Sequence, residues 1–292
     1  NLAALIRTIG GGPRSRRDLP DDDAQTLFAA MLAGEVPALE LGATLVALRL
    51  KGESLAETHG FLRALEAHTG RLVAPADTPR TVVLPTYNGA RRHPNLTALL
   101  ALLLARFGVP VLMHGLSGGD DPAAEGEEDD SLDAGNVAAE AARFGRVTTA
   151  DVLRELGIAP AASMAHAQEM LVRDRTAYVP IAVLAPGLAA LLACRTRLGI
   201  RSAAHSLAKL IDPFGGASYR VVSATHPDYL ERMRALLGDT RADAMLLRGT
   251  EGEVVADPRR QPQMDGFIAG RRITLQAGQK GTLKDLPDLP AD

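Results

Sequence analysis

The hydrophobic and polar positions of the first seventy residues repeat with a helical period. The stretch LPDDDAQTLFAAMLAGEV places three acids directly after a proline, where a helix dipole favours negative charge, and then an apolar series from Leu27 to Leu32. PALELGATLVALRLKGES repeats this pattern and ends near Gly52, and LAETHGFLRALEAHTG continues it to Gly70. We therefore expect an all-helical N-terminal domain.

The period changes near residue 80, where short aliphatic and β-branched runs begin to alternate with helical patterns. These runs are TVVL, VPVLMHG, YVPIAVL, YRVVSA and AMLLRG. Strands separated by helices indicate a mainly parallel sheet. The predicted fold class is α/β, with a small helical domain at 1–72, joined by a returning segment at about 160–180, and a larger α/β domain at 73–292 that contains the sheet.

Composition narrows the class of protein. The chain has 292 residues and 46% hydrophobic content, enough for a sizeable core. Its longest apolar run, 96–107, is interrupted by Arg106 and is too short to cross a bilayer, and the first residues lack a signal pattern. We therefore expect a cytoplasmic protein without a membrane partner. Cys194 is the only cysteine, which excludes an internal disulfide and a thiolate metal cluster.

Charge is segregated along the chain. The net charge is −3, but residues 120–133 hold eight acids, so the remainder carries +5. A run of this kind is most often a solvated linker, and a second interpretation is an intramolecular competitor for a basic groove.

The stretch VVLPTYNGARRHPNLTALLALLLARFGVPVLMHG, residues 82–115, has the order strand, turn, helix, strand, by which α/β proteins build phosphate sites. A loop that wraps a diphosphate needs several glycines, because backbone amides must point inward. This turn has only Gly89, preceded by the bulky Tyr87. The start of the following helix is a second candidate phosphate site, with Asn95 as the N-cap and the Thr97 hydroxyl beside exposed amides. These residues either only cap the helix or, in addition, bind one phosphate group.

Several stretches together resemble one known family. They are LFAAMLAGEVPALELGATLVALRLKGES, HPNLTALLALLLARFGVPVLMHG, TTADVLRELGI and CRTRLGIRSAAHSLAKLIDP. They are similar to the motifs of anthranilate phosphoribosyltransferase, a nucleoside-phosphorylase-like enzyme of glycosyltransferase family 3, and specifically to its divergent YbiB-like branch. The resemblance implies a homodimer through the helical domain, where Gly34, Gly42 and Ala43 would allow close helix contact.

The chain departs from that family at three places. PTYNGA replaces a Gly-Thr-Gly-Gly-Asp-Gly pyrophosphate loop, and MHGLS replaces Lys-His-Gly-Asn-Arg. Val254 and Val255 stand where the family places an Asp-Glu pair on magnesium, and valine cannot bind a hard cation. Glu251 and Glu253 could substitute only after a one-residue shift. Because transfer from phosphoribosyl pyrophosphate needs metal and backbone donors for the leaving group, the sequence favours a protein without catalytic residues, bound metal or cofactor.

Basic side chains gather where the family would bind its anionic substrate. The resemblance also implies a partner, because the YbiB-like branch is associated with nucleic-acid binding without evident sequence preference. Aligned basic patches would neutralise the phosphates of DNA or RNA, and Tyr87 is the one aromatic candidate for base stacking. Ordinary solvated surface charge is the alternative. The predicted nucleic-acid-binding residues are Arg14, Arg16, Arg17, Arg91, Arg92, Arg195, Arg197, Arg201, Lys209, Arg271 and Arg272.

The leading hypothesis is therefore DNA binding, with little sequence specificity, on a phosphoribosyltransferase-like scaffold. A second hypothesis is a phosphoribosyltransferase or glycosyltransferase with an altered substrate, using Mg²⁺ with phosphoribosyl pyrophosphate and binding phosphate at Asn88, Gly89, Asn95 and Thr97. A third is a small-anion sensor that uses the same pocket.

Overall fold

The computed structural model describes residues 2–116, 146–257 and 261–279. The acidic segment 120–133 and its two interpretations lie outside these residues. Two compact units are present: the chain up to Arg71 together with Ile181–Pro213, and Leu72–Pro180 together with the described residues from Phe214 onward. The predicted returning segment at 160–180 is therefore wrong, because the chain rejoins the helical unit only after residue 180.

The described chain is helical up to Ala67 and contains both strands and helices from Val82 onward. The helices are α1 Leu2–Gly10, α2 Asp21–Leu32, α3 Ala38–Lys51, α4 Leu55–Ala67, α5 Thr97–Arg106, α6 Thr149–Glu155, α7 Met164–Asp174, α8 Ile181–Leu184, α9 Pro186–Leu198, α10 Ala203–Leu207 and α11 Pro227–Asp239. The strands are β1 Val82–Thr86, β2 Val111–Gly115, β3 Thr176–Pro180, β4 Tyr219–Ala224, β5 Ala244–Arg248, β6 Met264–Ile268 and β7 Arg271–Gln276.

The helical unit is held by a close crossing of α2 and α4. Gly60 permits it, because a Cβ there would lie 2.2 Å from the carbonyl oxygen of Asp21. Phe28 and Phe61 are fully buried at the crossing, with ring centroids 4.8 Å apart. Helix α4 begins with a capping box between Ser54 and Glu57. The predicted N-terminal helical domain is confirmed.

The second unit is built on a seven-stranded sheet of order β3-β2-β1-β4-β5-β6-β7. The first five strands in this order are parallel, and β6 and β7 extend the sheet as an antiparallel hairpin. This confirms the predicted mainly parallel sheet. The run YVPIAVL is not a strand throughout, because the chain becomes helical at Ile181.

The sequence pattern missed the β6–β7 hairpin. Its turn is Ala269-Gly270, with φ of 49° and 77°, so it lacks the usual Asn-Gly or Asp-Gly signal. Asp265 also interrupts the apolar pattern of β6, although it is 1% exposed and bound by Arg234 and Arg272.

One face of the sheet packs on α5 and α6 through Leu84, Met113, Ala101 and Leu153, all buried. This packing aligns the carboxyl ends of β1 and β2, where Thr86 is paired with Gly115. A Cβ at Gly115 would lie 1.8 Å from the Thr86 carbonyl oxygen, so only glycine fits there. Among the described residues, no helix combines the length and apolar character needed to span a membrane.

Candidate anion-binding site

The candidate site lies at the carboxyl edge of the parallel strands, between the loop after β1 and the turn after β5. Strand β4 lies between β1 and β5 in the sheet, and the three strands are parallel. The segments that follow these strands therefore meet at one edge of the sheet. At the end of β4 the Ser223 hydroxyl donates a 2.6 Å hydrogen bond to the carbonyl of Gly252. From the other side, Ala90 exchanges backbone hydrogen bonds with Val147. The loop and the turn are therefore both anchored.

The buried carboxylate of Glu253 occupies the first half of the loop. Its Oε1 accepts hydrogen bonds from the backbone amides of Asn88 and Gly89, each at 2.8 Å. Its Oε2 accepts a longer bond, 3.4 Å, from the hydroxyl of Thr97 at the start of α5. With 2% of the residue exposed, this charge depends on these donors for its stabilisation.

The carboxylate of Glu251 occupies the second half of the loop in the same manner. Its Oε2 and Oε1 accept hydrogen bonds from the backbone amides of Arg91 and Arg92, at 2.5 and 2.9 Å. The side-chain amide of Asn88 also donates to the Glu251 carbonyl at 2.9 Å. Four backbone amides of one loop thus point at two carboxylates, an arrangement that binds anions.

The turn that carries both acids needs unusual backbone geometry. Glu251 has φ 51° and ψ 20°, the left-handed region, which costs a non-glycine residue about 1–3 kcal/mol and persists only where its surroundings fix it. Gly252 follows with φ 85°. A Cβ at Gly249 would lie 1.8 Å from the Glu253 carbonyl oxygen and 2.9 Å from Cβ of Ser223. The sequence Gly-x-x-Gly therefore brings the acids over the loop.

A magnesium ion, which the family resemblance implies, does not fit these residues. Both carboxylates face N–H and O–H donors rather than an open cation position. Val254 is buried at 2% exposure. In the described ranges, no group of three or more His, Cys, Asp or Glu side chains could hold a metal ion.

The four predicted phosphate-binding residues all lie at this site, but Asn95 does not cap the helix. The N-cap of α5 is Leu96, without a side-chain hydrogen bond. Asn95 instead accepts from the Thr97 amide at 3.2 Å and donates to the Val147 carbonyl at 3.1 Å, so it ties the helix start to residues 147–149. The predicted N-cap is wrong by one position.

The predicted basic residues are spread over both units. Arg92 is exposed and Arg91 half-buried at the candidate site. Arg271 and Arg272 are exposed on β7, four strand positions or about 19 Å from β1, and do not join that pair. The helical unit holds the other seven, of which Arg14, Arg17 and Arg197 are exposed and Arg16, Arg195, Arg201 and Lys209 are half-buried.

Tyr87 is not a platform for stacking a base, contrary to the sequence prediction. It is 9% exposed, and its hydroxyl lies 2.7 Å from Nδ1 of His114, with the two rings edge to face. Burial raises the pKa of Tyr87 well above its usual value and lowers the pKa of His114 to about 3. The pair is a neutral hydrogen bond at the ends of β1 and β2.

In the sequence, Glu251 and Glu253 stood out only as displaced metal ligands. Their contact with the loop could not be predicted there, because it joins residues up to 165 positions apart in the chain. The available signal was a pair of acids on either side of Gly252, just after a predicted strand that ends at Gly249.

Comparison with known proteins shows which family the chain resembles. Residues 4–69 match the model described as "Glycosyl transferase family, helical bundle domain". The chain is 42% identical over 262 residues to the protein YbiB of Escherichia coli (strain K12), covering 89% of this chain and 74% of YbiB. It is 29% identical over 243 residues to the anthranilate phosphoribosyltransferase of Desulfitobacterium hafniense (strain Y51), covering 82% of this chain and 61% of that enzyme.

Solved structures agree in fold. The anthranilate phosphoribosyltransferase of Thermus thermophilus matches with a TM-score of 0.69 at 23% identity, covering 93% of this chain and 72% of that one. The Saccharomyces cerevisiae enzyme, solved in complex with PRPP and Mg, matches with a TM-score of 0.66 at 12% identity, covering 94% and 72%. The chain spans less than two thirds of the Desulfitobacterium enzyme. With YbiB as a relative over most of its length, the chain belongs to the anthranilate phosphoribosyltransferase-like glycosyltransferase family, in the branch that contains YbiB.

Proposed function

We propose that this protein is a phosphoribosyltransferase-like transferase with an altered substrate, which binds a phosphorylated substrate at the loop 87–92. The observation that carries the proposal is the convergence of four backbone amides and the Thr97 hydroxyl on two carboxylates, those of Glu251 and Glu253, at the carboxyl edge of the sheet. Ligands of open α/β sheets bind at this edge. Relatives named anthranilate phosphoribosyltransferase support the class of reaction.

An altered substrate follows from the departures at the loop. Tyr87 and Pro85 are both buried, and Gly89 is the single glycine of PTYNGA. A loop with fewer glycines approaches a ligand less closely. Because this loop stands where the family has its pyrophosphate loop, the departure concerns the phosphorylated donor, and we expect that donor to be held less closely than in the family's enzymes.

The proposal is tested by incubating the protein with phosphoribosyl pyrophosphate and Mg²⁺ and a panel of acceptors that includes anthranilate, other aromatic amines and nucleobases. Release of pyrophosphate with one acceptor is expected, and Thr97→Val should reduce it. Thr26→Val is the matched control, since the Thr26 hydroxyl is exposed and donates to the Asp22 carbonyl within its own helix. Absence of both turnover and donor binding by calorimetry would overturn the proposal.

Nucleic-acid binding is the second candidate, and one observation favours it. Glu251 fixes the backbone of Arg91 and Arg92, two consecutive cationic residues at the position of the family's pyrophosphate loop. An arginine that neutralises a nucleic-acid phosphate releases counterions, so the logarithm of the affinity would fall linearly with the logarithm of salt concentration.

Fluorescence anisotropy with a labelled single-stranded oligonucleotide at three salt concentrations tests this candidate. Replacement of Arg91 and Arg92 by glutamine should weaken binding and flatten the salt dependence. Arg173→Gln is the control, because Arg173 is exposed on α7 and paired with Asp174. Absence of binding at low salt would exclude this function.

A further inference from the structure

We propose that Glu251 and Glu253 are built-in occupants of the loop's anion site, which exclude small phosphoanions such as pyrophosphate until the turn 249–253 withdraws. The ligand class rests on the proposed function. The exclusion itself rests on the contacts of the two carboxylates.

The loop offers two pairs of amides, and each pair holds one carboxylate. The amides of Asn88 and Gly89 donate to Glu253, and those of Arg91 and Arg92 donate to Glu251. Two anionic groups are thus bound side by side on one short loop, as the two phosphate groups of a diphosphate would require. Glu251 accepts through both carboxylate oxygens and Glu253 accepts from its two amides through Oε1, and the oxygens of a phosphate group could accept from the same donors.

Occupancy by the acids works against an incoming phosphoanion in two ways. The amide donors are already satisfied, and the negative charges repel a second anion across a site of low exposure. Glu253 is buried and the Glu251 side chain is 17% exposed. A phosphoanion therefore binds only to molecules in which the carboxylates are displaced. Its apparent affinity is the intrinsic affinity multiplied by the fraction of such molecules.

The two acids belong to one short turn, so a displacement of that turn, which would break the Ser223–Gly252 hydrogen bond, would carry both of them. Glu251, in its left-handed conformation, and Glu253 are two residues apart in a single turn, with Gly252 between them. At its ends the turn is closed by a 2.8 Å hydrogen bond from the Thr250 amide to the Val255 carbonyl. Outward displacement of this short unit would free all four amides at once.

The test measures binding of inorganic pyrophosphate, without metal, to the full chain by calorimetry and thermal shift. Glu251→Ala and Glu253→Gln should each bind about tenfold more tightly than the unaltered protein. Glu155→Gln, at an exposed acid of α6, should not change the affinity. Unchanged affinity in folded variants would overturn the inference. If Glu253→Gln does not fold, Glu251→Ala decides alone.

Further measurements on the same variants separate this inference from the proposed function and test the class of ligand. If the unaltered protein binds phosphoribosyl pyrophosphate with Mg²⁺ and the variants lose that binding, the acids serve the substrate, and the inference is overturned while the transferase proposal stands. Tighter pyrophosphate binding by the variants, with no turnover by any form, upholds the inference and removes the transferase proposal. An equal gain in affinity for a single-stranded oligonucleotide would overturn the assignment to small phosphoanions.

Discussion

The hydroxyl oxygen of Tyr87 lies 2.7 Å from Nδ1 of His114, and both side chains are buried at the carboxyl ends of β1 and β2. Within the described residues, Nε2 of His114 has no hydrogen-bond partner. A charged imidazolium here would lose its hydration without an ion pair, and burial accordingly lowers the His114 pKa to about 3.

This burial predicts a specific pH dependence of stability. The unfolded chain protonates its histidine near pH 6.5, whereas the folded chain does so only near pH 3. Below pH 6.5 the unfolded state therefore binds more protons, and the contribution to stability is complete above about pH 6.5 and is lost as pH falls towards 3. At pH 5 the loss is about 2 kcal/mol.

Urea unfolding at pH 7 and pH 5 checks this value by comparing the unaltered protein with His114→Phe, which removes the titrating group and keeps an aromatic ring. The variant should lose about 2 kcal/mol less between the two pH values. His226→Gln, at an exposed histidine, serves as the control. An identical pH dependence in His114→Phe would contradict the prediction.

Glu57 should be the most sensitive acid of the helical unit. Its fully buried carboxylate accepts from Lys51 Nζ at 2.6 Å and from the amides of Leu19 and Ser54 at 3.0 and 2.8 Å. Removing it leaves the Lys51 ammonium, 4% exposed, with Asp18 as its remaining carboxylate partner, and takes the acceptor away from the amides of Leu19 and Ser54. We expect Glu57→Ala to lower the free energy of unfolding by about 3–5 kcal/mol.

The matched control is Glu66→Ala, which breaks an exposed pair with Arg71 and should cost less than about 1 kcal/mol. Chemical denaturation of both variants measures the difference. Equal losses in the two would show that burial does not set the strength of the Lys51–Glu57 contact.

Gly249 should tolerate no side chain. Because its Cβ would lie 1.8 Å from the Glu253 carbonyl oxygen, Gly249→Ala forces the turn away from the loop and should cost about 1–3 kcal/mol. Gly238→Ala is the control, since a Cβ there would be 3.6 Å from the nearest atom outside its own helix, and alanine favours helix. Thermal unfolding compares the two, and a neutral Gly249→Ala would show that the turn can relax.

The predicted homodimer has a testable surface on α3. Leu39 and Leu50 are 82% and 72% exposed, and their spacing of eleven residues puts them on one side of the helix. Exposed Ala43 and half-buried Val46 lie between them. Such an apolar stripe is typical of an interface. Sedimentation analysis should show a dimer that Leu39→Glu with Leu50→Glu converts to monomer.

Leu156→Glu, at a 57% exposed leucine of the other unit, should leave the dimer intact. Circular dichroism must show that the double variant keeps its helices. A monomeric unaltered protein would end the expectation of a dimer through this helix.

The sequence by itself determined the helical domain, the alternation that makes a parallel sheet, and the scarcity of glycine in the loop after β1. These features depend on neighbouring positions in the chain: apolar residues three or four apart in α2, aliphatic runs such as VVL in β1, and the single glycine of PTYNGA. It also singled out Asn88, Gly89 and Thr97, which follow a strand and open a helix, and the structure shows these residues hydrogen-bonded to Glu251 or Glu253.

Tertiary structure decided what occupies that site. Glu253 reaches Gly89 across 164 positions in the chain, because β1, β4 and β5 are adjacent in the sheet and their following loops meet. The contacts of both carboxylates with residues 88–97 join distant parts of the chain, so a local sequence pattern could not reveal them. The buried Tyr87–His114 pair likewise depends on the alignment of β1 with β2. Pairing between distant strands is a property of the whole sheet, so local periodicity carries no information about it.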